Sequence, residues 1–566
     1  MSDSAHNANP NAAPHAIPNA APSASPNADP SAYAYPLLIG QLLHTPLATA
    51  ADREIVYRDR CRHSYCALRE RIGRLAAALA QQGVGAGDTV AVMDWDSHRY
   101  LEAFFAIPMM GAVLQTVNVR LAPEQILYTL NHARADVLLV HAEFVPLVAA
   151  FRGQLATVKT FILIADENEA GGSELPFVDE YEALLAAAPA DFAFADFDEH
   201  TRATTFYTTG TTGEPKGVHF SHRQIVLHTL AVAAGLAARP GRGRLHRDDV
   251  YMPITPMFHV HAWGLPYVAT LLGLKQVYPG RYAPATLLQY LAAEGVSFSH
   301  CVPTILHALL ASPAAADIDL SGWKVIIGGA AFPRGLAAAA LARGIDVFAG
   351  YGMSETGPVL TVANAPQGVA DDAVEAQAAA RVRTGQPIPL VALRTVDGEL
   401  HDVARDGHTP GEVVVRAPWL TPGYLHDAAA SSALWAGGWL HTGDIGTLDA
   451  DGTLQITDRL KDVIKTGGEW ISSLELESLV SQHPAVSEVA VIGVKDDKWG
   501  ERPLALVVLK DGAQATAEEL RALVRSAAEA GRISPFAVPE RVQFVTALPR
   551  TSVGKLDKKA MRGRQT

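Results

Sequence analysis

The residue pattern predicts an α/β chain: parallel-rich sheets covered by helices, then a β-rich section, then a smaller α+β block. Three observations carry this. Between about residues 35 and 200, helical patterns at 65–82, 97–110 and 123–133 alternate with short apolar runs at 89–93 and 137–140. That alternation implies parallel strands joined by helices that cover the sheet faces. A second alternating block runs through 250–362, and from 382 to 456 the helical period gives way to strands with tight turns at Asp397-Gly398 and Asp451-Gly452. With 566 residues, 49% of them apolar, at least two cores are expected.

In chain order, Pro10, Pro14, Pro18, Pro22, Pro26 and Pro30 recur every four residues among Asn, Ala and Ser. Proline at that density prevents helix and little nearby can be buried, so residues 1–34 are expected to be a disordered tail. It lacks the basic start and apolar stretch of a signal peptide. The longest apolar stretch, 225–238, is interrupted by His228 and followed by Arg239-Pro240. It falls short of the roughly 18 residues of a membrane span and reads as a buried helix. A strand at 325–327 leads into Gly328-Gly329, an Ala-rich helix follows at 335–343, and Val347-Phe348 lead into Gly350. Ligand loops lie at the carboxyl ends of such strands. Beyond residue 458, strands are expected at 489–493 and 504–509 and a helix at 518–530.

The net charge of −13 argues against bulk nucleic-acid binding and offers nothing to anionic membrane surfaces. Cys61, Cys66 and Cys301 are too few for a disulfide framework, and Cys61 and Cys66 have no second pair downstream, so no zinc site is expected. Free thiols in a reducing cytosol follow, and with them a cytoplasmic protein with no stable membrane insertion.

The most informative stretch is Tyr207-Thr-Thr-Gly-Thr-Thr-Gly-Glu-Pro-Lys-Gly-Val218. Its glycines let backbone N–H groups approach a ligand, four hydroxyls add donors, and Lys216 adds a positive charge, so the loop suits a polyphosphate. It is not a Walker A loop, because Lys216 follows Pro215 and precedes Gly217. Four further segments follow: Gly350-Tyr-Gly-Met-Ser-Glu-Thr356, Gly438-Trp-Leu-His-Thr-Gly-Asp444, Asp458-Arg-Leu-Lys-Asp-Val-Ile-Lys-Thr-Gly-Gly468 and Pro549-Arg-Thr-Ser-Val-Gly-Lys555. In this order, the five resemble the motifs of the adenylate-forming superfamily, which includes acyl-CoA synthetases, peptide-synthetase adenylation domains and firefly-type luciferases.

The resemblance implies a large domain over 35–457 and a small mobile domain over 458–566, which takes one pose for each half reaction. A carboxylate first attacks the α-phosphate of ATP to give acyl-AMP and pyrophosphate, and the CoA thiol then attacks acyl-AMP. By motif position, Lys555 bridges the carboxylate and the α-phosphate. Thr208 and Glu355 hold Mg²⁺, for which hard oxygen ligands are apt. Thr208, Thr209, Gly210, Thr211, Thr212 and Lys216 surround the phosphates. Gly350, Tyr351, Gly352, Met353 and Ser354 line the nucleotide, with Tyr351 as a flat face for adenine. Gly328, Gly329, Ala330 and Ala331 line its other side. Asp444 and Arg459 are the ribose pair, and Lys461 is the hinge. Gly467, Gly468, Glu469 and Trp470 line the CoA channel, with Gly468 letting pantetheine pass. Trp470 either stacks on pantetheine or nucleotide or packs as a structural tryptophan. Homodimers are common among such enzymes.

The acid is read from Pro256-Met-Phe-His-Val-His-Ala-Trp-Gly-Leu-Pro266. His259 and Trp263 resemble the acyl-pocket residue and the gate tryptophan of medium- and long-chain fatty acyl-CoA synthetases, a subgroup that includes 3-methylthiopropionate–CoA ligases. Gly328 and Phe332 are expected at the same pocket, with Phe332 shortening it. His261 and Lys275-Gln-Val-Tyr-Pro-Gly280 tilt the expectation toward the thioether acid. The competing readings are a long-chain fatty acid–CoA ligase, an adenylation enzyme that loads a carrier protein, and a catalytically inert nucleotide-sensing scaffold.

Overall fold

The computed structural model describes residues 32–166, 175–208, 214–239, 243–364, 373–466, 469–496, 498–531, 533–550 and 556–565. The expected tail up to residue 31 lies outside the described residues, as do Thr209, Gly210, Thr211, Thr212, Gly467, Gly468 and Lys555.

Among the described residues, the chain forms seven-, nine-, four- and five-stranded sheets. The seven-stranded sheet runs Phe177–Glu180, Thr160–Ile164, Val137–His141, Thr89–Met93, Val113–Thr116, Arg202–Thr208, Lys216–Ser221. All its pairings are parallel except the last. Thr89–Met93, Val113–Thr116 and Val137–His141 are buried along their whole length, which is why the first and last of these show near-continuous apolar runs instead of alternation. The final antiparallel hairpin places Thr208 opposite Lys216, so the Thr/Gly loop springs from the end of a sheet.

The nine-stranded sheet runs Gln386–Pro387, Val359–Val362, Asp346–Gly352, Lys324–Ile327, Phe298–Cys301, Val250–Pro253, Lys275–Tyr278, Glu54–Tyr57, Cys61–Ser64. Its middle is parallel and both edges are antiparallel. The region expected to be rich in strands becomes an antiparallel sheet of Ala392–Val396, Gly411–Arg416, Leu440–Leu448 and Leu454–Arg459. The C-terminal block has a sheet built on the long hairpin Val486–Asp496 and Gly500–Leu509, beside the helix Ala517–Glu529. Its two apolar clusters draw only on residues from Ile464 onward, so this block holds a core of its own.

Helix starts are set by side-chain caps that a pattern of apolar residues does not show. Ser97 was expected inside a helix; it stands outside, its hydroxyl accepting from the Tyr100 N–H, and the helix is His98–Met109. The helix expected from residue 225 begins three residues earlier, at His222, because Ser221 and Gln224 form a reciprocal capping box. Thr516 and Glu519 do the same for Ala517–Glu529. Among the described residues, no helix is long and apolar enough to cross a membrane. Cys301 is fully buried and its thiol is pushed up to about 12 by that burial, as suits a packing residue.

Candidate active site

The strand ends bring three of the sequence motifs together. Glu355 sits in the one-turn helix Ser354–Thr356 that follows Asp346–Gly352, and the Thr356 hydroxyl pins that turn by donating to Pro358 O (2.6 Å) and accepting from the Met353 N–H (3.1 Å). The Glu355 side chain is buried at 7% exposure, and burial pushes its carboxyl above the usual range although Tyr424, Arg459 and Lys216 pull it down. The Tyr424 hydroxyl donates to Glu355 Oε1 at 2.7 Å, and Lys216 Nζ lies 4.6 Å from the centre of the Tyr424 ring. Tyr424 thus joins the base of the phosphate-type loop to the acidic motif. Tyr424 stands outside the recognisable motifs, with only the preceding Pro422-Gly423 as a local signal, and its partners come from distant segments. A buried carboxylate raised by desolvation is relieved by a hard divalent cation, so the Glu355 carboxylate is a donor that fits Mg²⁺.

The expected ribose pair is adjacent because Asp444 and Arg459 are cross-strand neighbours on Leu440–Leu448 and Leu454–Arg459. Arg459 Nε lies 3.4 Å from Asp444 Oδ1, and the Tyr351 hydroxyl donates to Asp444 Oδ2 at 2.7 Å. Asp444 is 6% exposed, and its own N–H donates to Thr442 Oγ1. Tyr351 is therefore anchored through its hydroxyl, which fixes the position of the ring expected to face adenine. Gly350, Gly352, Met353 and Ser354 are half-buried around it, except that Gly350 and Gly352 have no room for a side chain. A Cβ on Gly350 would lie 2.7 Å from Ile326 Cγ2, and one on Gly352 would lie 1.6 Å from Pro358 O.

On the other side, Gly328 ends the strand Lys324–Ile327, and Gly329, Ala330 and Ala331 follow it, exposed. A Cβ on Gly328 would meet Gly350 O at 2.8 Å and Trp263 Cη2 at 2.9 Å. The expected acyl-pocket residues Gly328 and Trp263 are thus in contact with each other and with the nucleotide strand. Trp263 and Phe332 are buried and belong to one apolar cluster. Trp263 also lies against His300, with ring centres 5.0 Å apart. His300 is kept neutral by burial, pushed down to about 3, and it pairs with the Tyr251 hydroxyl at 2.9 Å. His259 is half-buried at the start of the Trp263 turn. His261 is buried between Phe104 and Phe206 and hydrogen-bonded to Thr204 Oγ1 at 2.7 Å, and it lines a small cavity together with His228, Tyr267 and Trp419.

The segment Val260–Trp263 has four consecutive residues in the left-handed region, φ 48, 54, 47 and 57. Such a conformation costs on the order of 1 kcal/mol per residue and persists only where the surroundings impose it. Asp96 is one such restraint. It accepts from the Met257 N–H at 2.8 Å and from the Tyr282 hydroxyl. Burial pushes its carboxyl up to about 7 against those two hydrogen bonds. The native state therefore keeps this proton up to about pH 7, whereas the unfolded chain loses it near 4. Between those values the native state binds more protons, so stability falls as pH rises from about 4 to about 7. Asp96→Asn removes the titration, and its denaturation midpoints at about pH 5 and about pH 8 should differ less than the wild type's. An unchanged difference would show that Asp96 is not responsible.

In the C-terminal block, Arg459, Lys461 and Asp462 form a turn in which the Asp462 and Val463 N–H groups both donate to Arg459 O at 2.8 Å. Lys461 is exposed, and Asp462 is bonded by Arg562. Glu469 is exposed, and the Trp470 backbone pairs with Lys465 across a short hairpin. The segment holding Lys555 is pinched at its base by an Arg550–Leu556 bridge. The basic residues after it are not simply solvated: Lys558 is buried, donating to Ser473 Oγ at 2.6 Å and pairing with Glu477 at 2.7 Å.

Sequence comparison matches residues 43–425 to the AMP-binding enzyme family and residues 475–555 to the AMP-binding enzyme C-terminal domain. The chain is 42% identical over 509 residues to a long-chain-fatty-acid–CoA ligase of Thermus thermophilus, covering 88% of this chain and 90% of that one. It is 38% identical over 539 residues to a 3-methylmercaptopropionyl-CoA ligase of Ruegeria lacuscaerulensis, covering 93% and 97%. Its fold is similar to that of the anthranilate CoA ligase AuaEII in complex with anthranoyl-AMP, with a TM-score of 0.81, 26% identity, and coverage of 94% and 98%.

Proposed function

We propose, from the premise that this chain belongs to the AMP-binding enzyme family, that it activates a short-to-medium-chain apolar acid, 3-methylthiopropionate or a medium-chain fatty acid. It is an AMP-forming acyl-CoA synthetase that uses ATP, Mg²⁺ and CoA. The observation that carries the choice of acid is the wall made by Trp263 against Gly328, in one apolar cluster with Phe332 and beside a neutral His300. In this reading the wall offers no charge to a polar tail, and Phe332 is the side chain that limits the length of the acyl chain.

In this reading the acid carboxylate attacks the α-phosphate of ATP, and pyrophosphate leaves. Both reactants are anionic, so neutralisation and alignment dominate the barrier. Lys216 and the Thr/Gly loop hold the β- and γ-phosphates, Lys555 stands between the carboxylate and the α-phosphate, and Asp444 with Arg459 holds the ribose. Mg²⁺, held by Glu355 and Thr208, would supply charge neutralisation on the phosphates. The CoA thiol then attacks the acyl carbonyl carbon of acyl-AMP and AMP leaves, so no protein nucleophile is required. Rotation of residues 458–566 about Lys461 would exchange Lys555 for the 467–470 loop between the two steps.

CoA-dependent AMP release, measured with 3-methylthiopropionate, butyrate, octanoate, palmitate and benzoate in turn, tests the reading. A maximum at one of the first three acids is expected. A maximum at palmitate would favour an open tunnel, the reading that the Thermus relative's name supports. Phe332→Ala should move the maximum toward longer acids, with each added buried methylene worth at most about 0.8 kcal/mol. An unchanged chain-length profile would remove Phe332 from the pocket.

A further inference from the structure

The hairpin Glu54–Tyr57 and Cys61–Ser64 forms one antiparallel edge of the nine-stranded sheet. Successive side chains of a strand point to opposite faces, so Cys61 and His63 share one. The helix His98–Met109 starts against that face. The His98 ring lies 5.2 Å from the His63 ring, and Cys61 Sγ lies 3.7 Å from His98 Nδ1 and 3.9 Å from Nε2. One ligand atom from each of Cys61, His63 and His98 lies within 4.8 Å of the other two. The acid-activating chemistry uses none of them. His98 is buried at 4% exposure, whereas Cys61 and His63 are half-buried, so the group is open on one side.

A second observation comes from behind the cluster. His98 Nε2 lies 3.4 Å from Glu182 Oε1, and that carboxylate is held by Arg71 at 2.9 Å. A carboxylate on the far nitrogen of a histidine is the usual support of a zinc-ligating imidazole, because it sets tautomer and ring orientation. One sulfur and two imidazoles are also a donor set suited to zinc, and three protein ligands leave a fourth position for water or an exchangeable group.

We propose that Cys61, His63 and His98 form a binding site for one zinc-class divalent ion, with Glu182 as the carboxylate that orients His98. Ligand atoms around tetrahedral zinc stand roughly 3.3–3.8 Å apart, given bonds of about 2.0–2.3 Å. The three side chains need to close by only about 1 Å or so to reach that spacing, which side-chain rotation at a half-open site supplies. The bound ion ties the edge hairpin of one sheet to a helix that follows a strand of the other, so it binds the folded state and raises its stability by mass action. Cys66 is exposed and takes no part. Such a site needs no second cysteine pair, because its other ligands are two histidines, one of them brought in by a distant helix.

The test is a titration of the full chain, stripped with a chelator and kept reduced, with cobalt chloride and then zinc chloride. The expected result is one equivalent of cobalt with a sulfur-to-metal charge-transfer band, displaced by zinc, and a rise in Tm with zinc. Cys61→Ser should abolish the band, His63→Gln should weaken binding at least tenfold, Glu182→Gln should weaken it about 10–100-fold, and Cys66→Ser should leave it unchanged. A wild-type protein with no band and no Tm shift would overturn the proposal, as would a band that survives in Cys61→Ser.

Discussion

Lys555→Ala is expected to reduce acyl-AMP formation by about 10³-fold or more, a barrier increase of about 4 kcal/mol, while conversion of supplied acyl-AMP to acyl-CoA stays within a few-fold of wild type. The first half reaction forces a carboxylate onto a phosphate. A cation placed between them offsets a repulsion that exists in the transition state and has no counterpart once acyl-AMP is formed. Thioester formation starts from a mixed anhydride and a thiol, so it has no need of that charge. The Arg550–Leu556 bridge and the burial of Lys558 against Glu477 brace the described chain on either side of residues 551–555, so the substitution should leave the fold intact. The two half reactions are measured separately, as acid-dependent pyrophosphate release and as CoA-dependent consumption of synthetic acyl-AMP. Equal loss in both would refute the assignment.

Asp444→Asn is expected to raise the KM for ATP by about 10²-fold or more. A carboxylate that accepts from two ribose hydroxyls makes charge-assisted hydrogen bonds, each worth about 1.5–3 kcal/mol, and the amide gives up both the charge and one acceptor. Asp444 is also the partner of the Tyr351 hydroxyl and of Arg459, so its loss frees the ring expected beneath adenine. The effect should fall on ATP, with the KM values for acid and CoA changed little; steady-state kinetics with each substrate varied in turn decides this. A uniform fall in kcat with unchanged KM for ATP would assign Asp444 a purely structural role.

Much of this was legible in the chain. The runs at 89–93 and 137–140 declared buried parallel strands because every residue there is apolar or small enough to be enclosed. The Thr/Gly loop stood out because glycines, hydroxyls and a lysine close together along the chain suit a polyphosphate, whereas the acidic motif and the Asp444 and Arg459 segments stood out by their resemblance to the motifs of the family. Helix starts at Ser97, Ser221 and Thr516 were placed less well, because a cap is one hydrogen bond at a boundary and leaves no periodic mark.

Other features arise only where distant segments meet. Tyr424 becomes a link between Lys216 and Glu355 only when the chain after Trp419 crosses the end of two sheets. His261 stands beside Trp263 in the chain, and its hydrogen bond to Thr204 and its packing between Phe104 and Phe206 come from segments far away in sequence. Asp96, His300 and the Cys61–His63–His98 group carried no local pattern at all. Local spacing along the chain is set by residue chemistry and backbone period, and these are written in order. Burial, carboxylate and imidazole pKa shifts, and long-range pairs depend on what the fold places within a few ångströms. That proximity is a property of strand order and packing, so it exists only once the sheets have assembled.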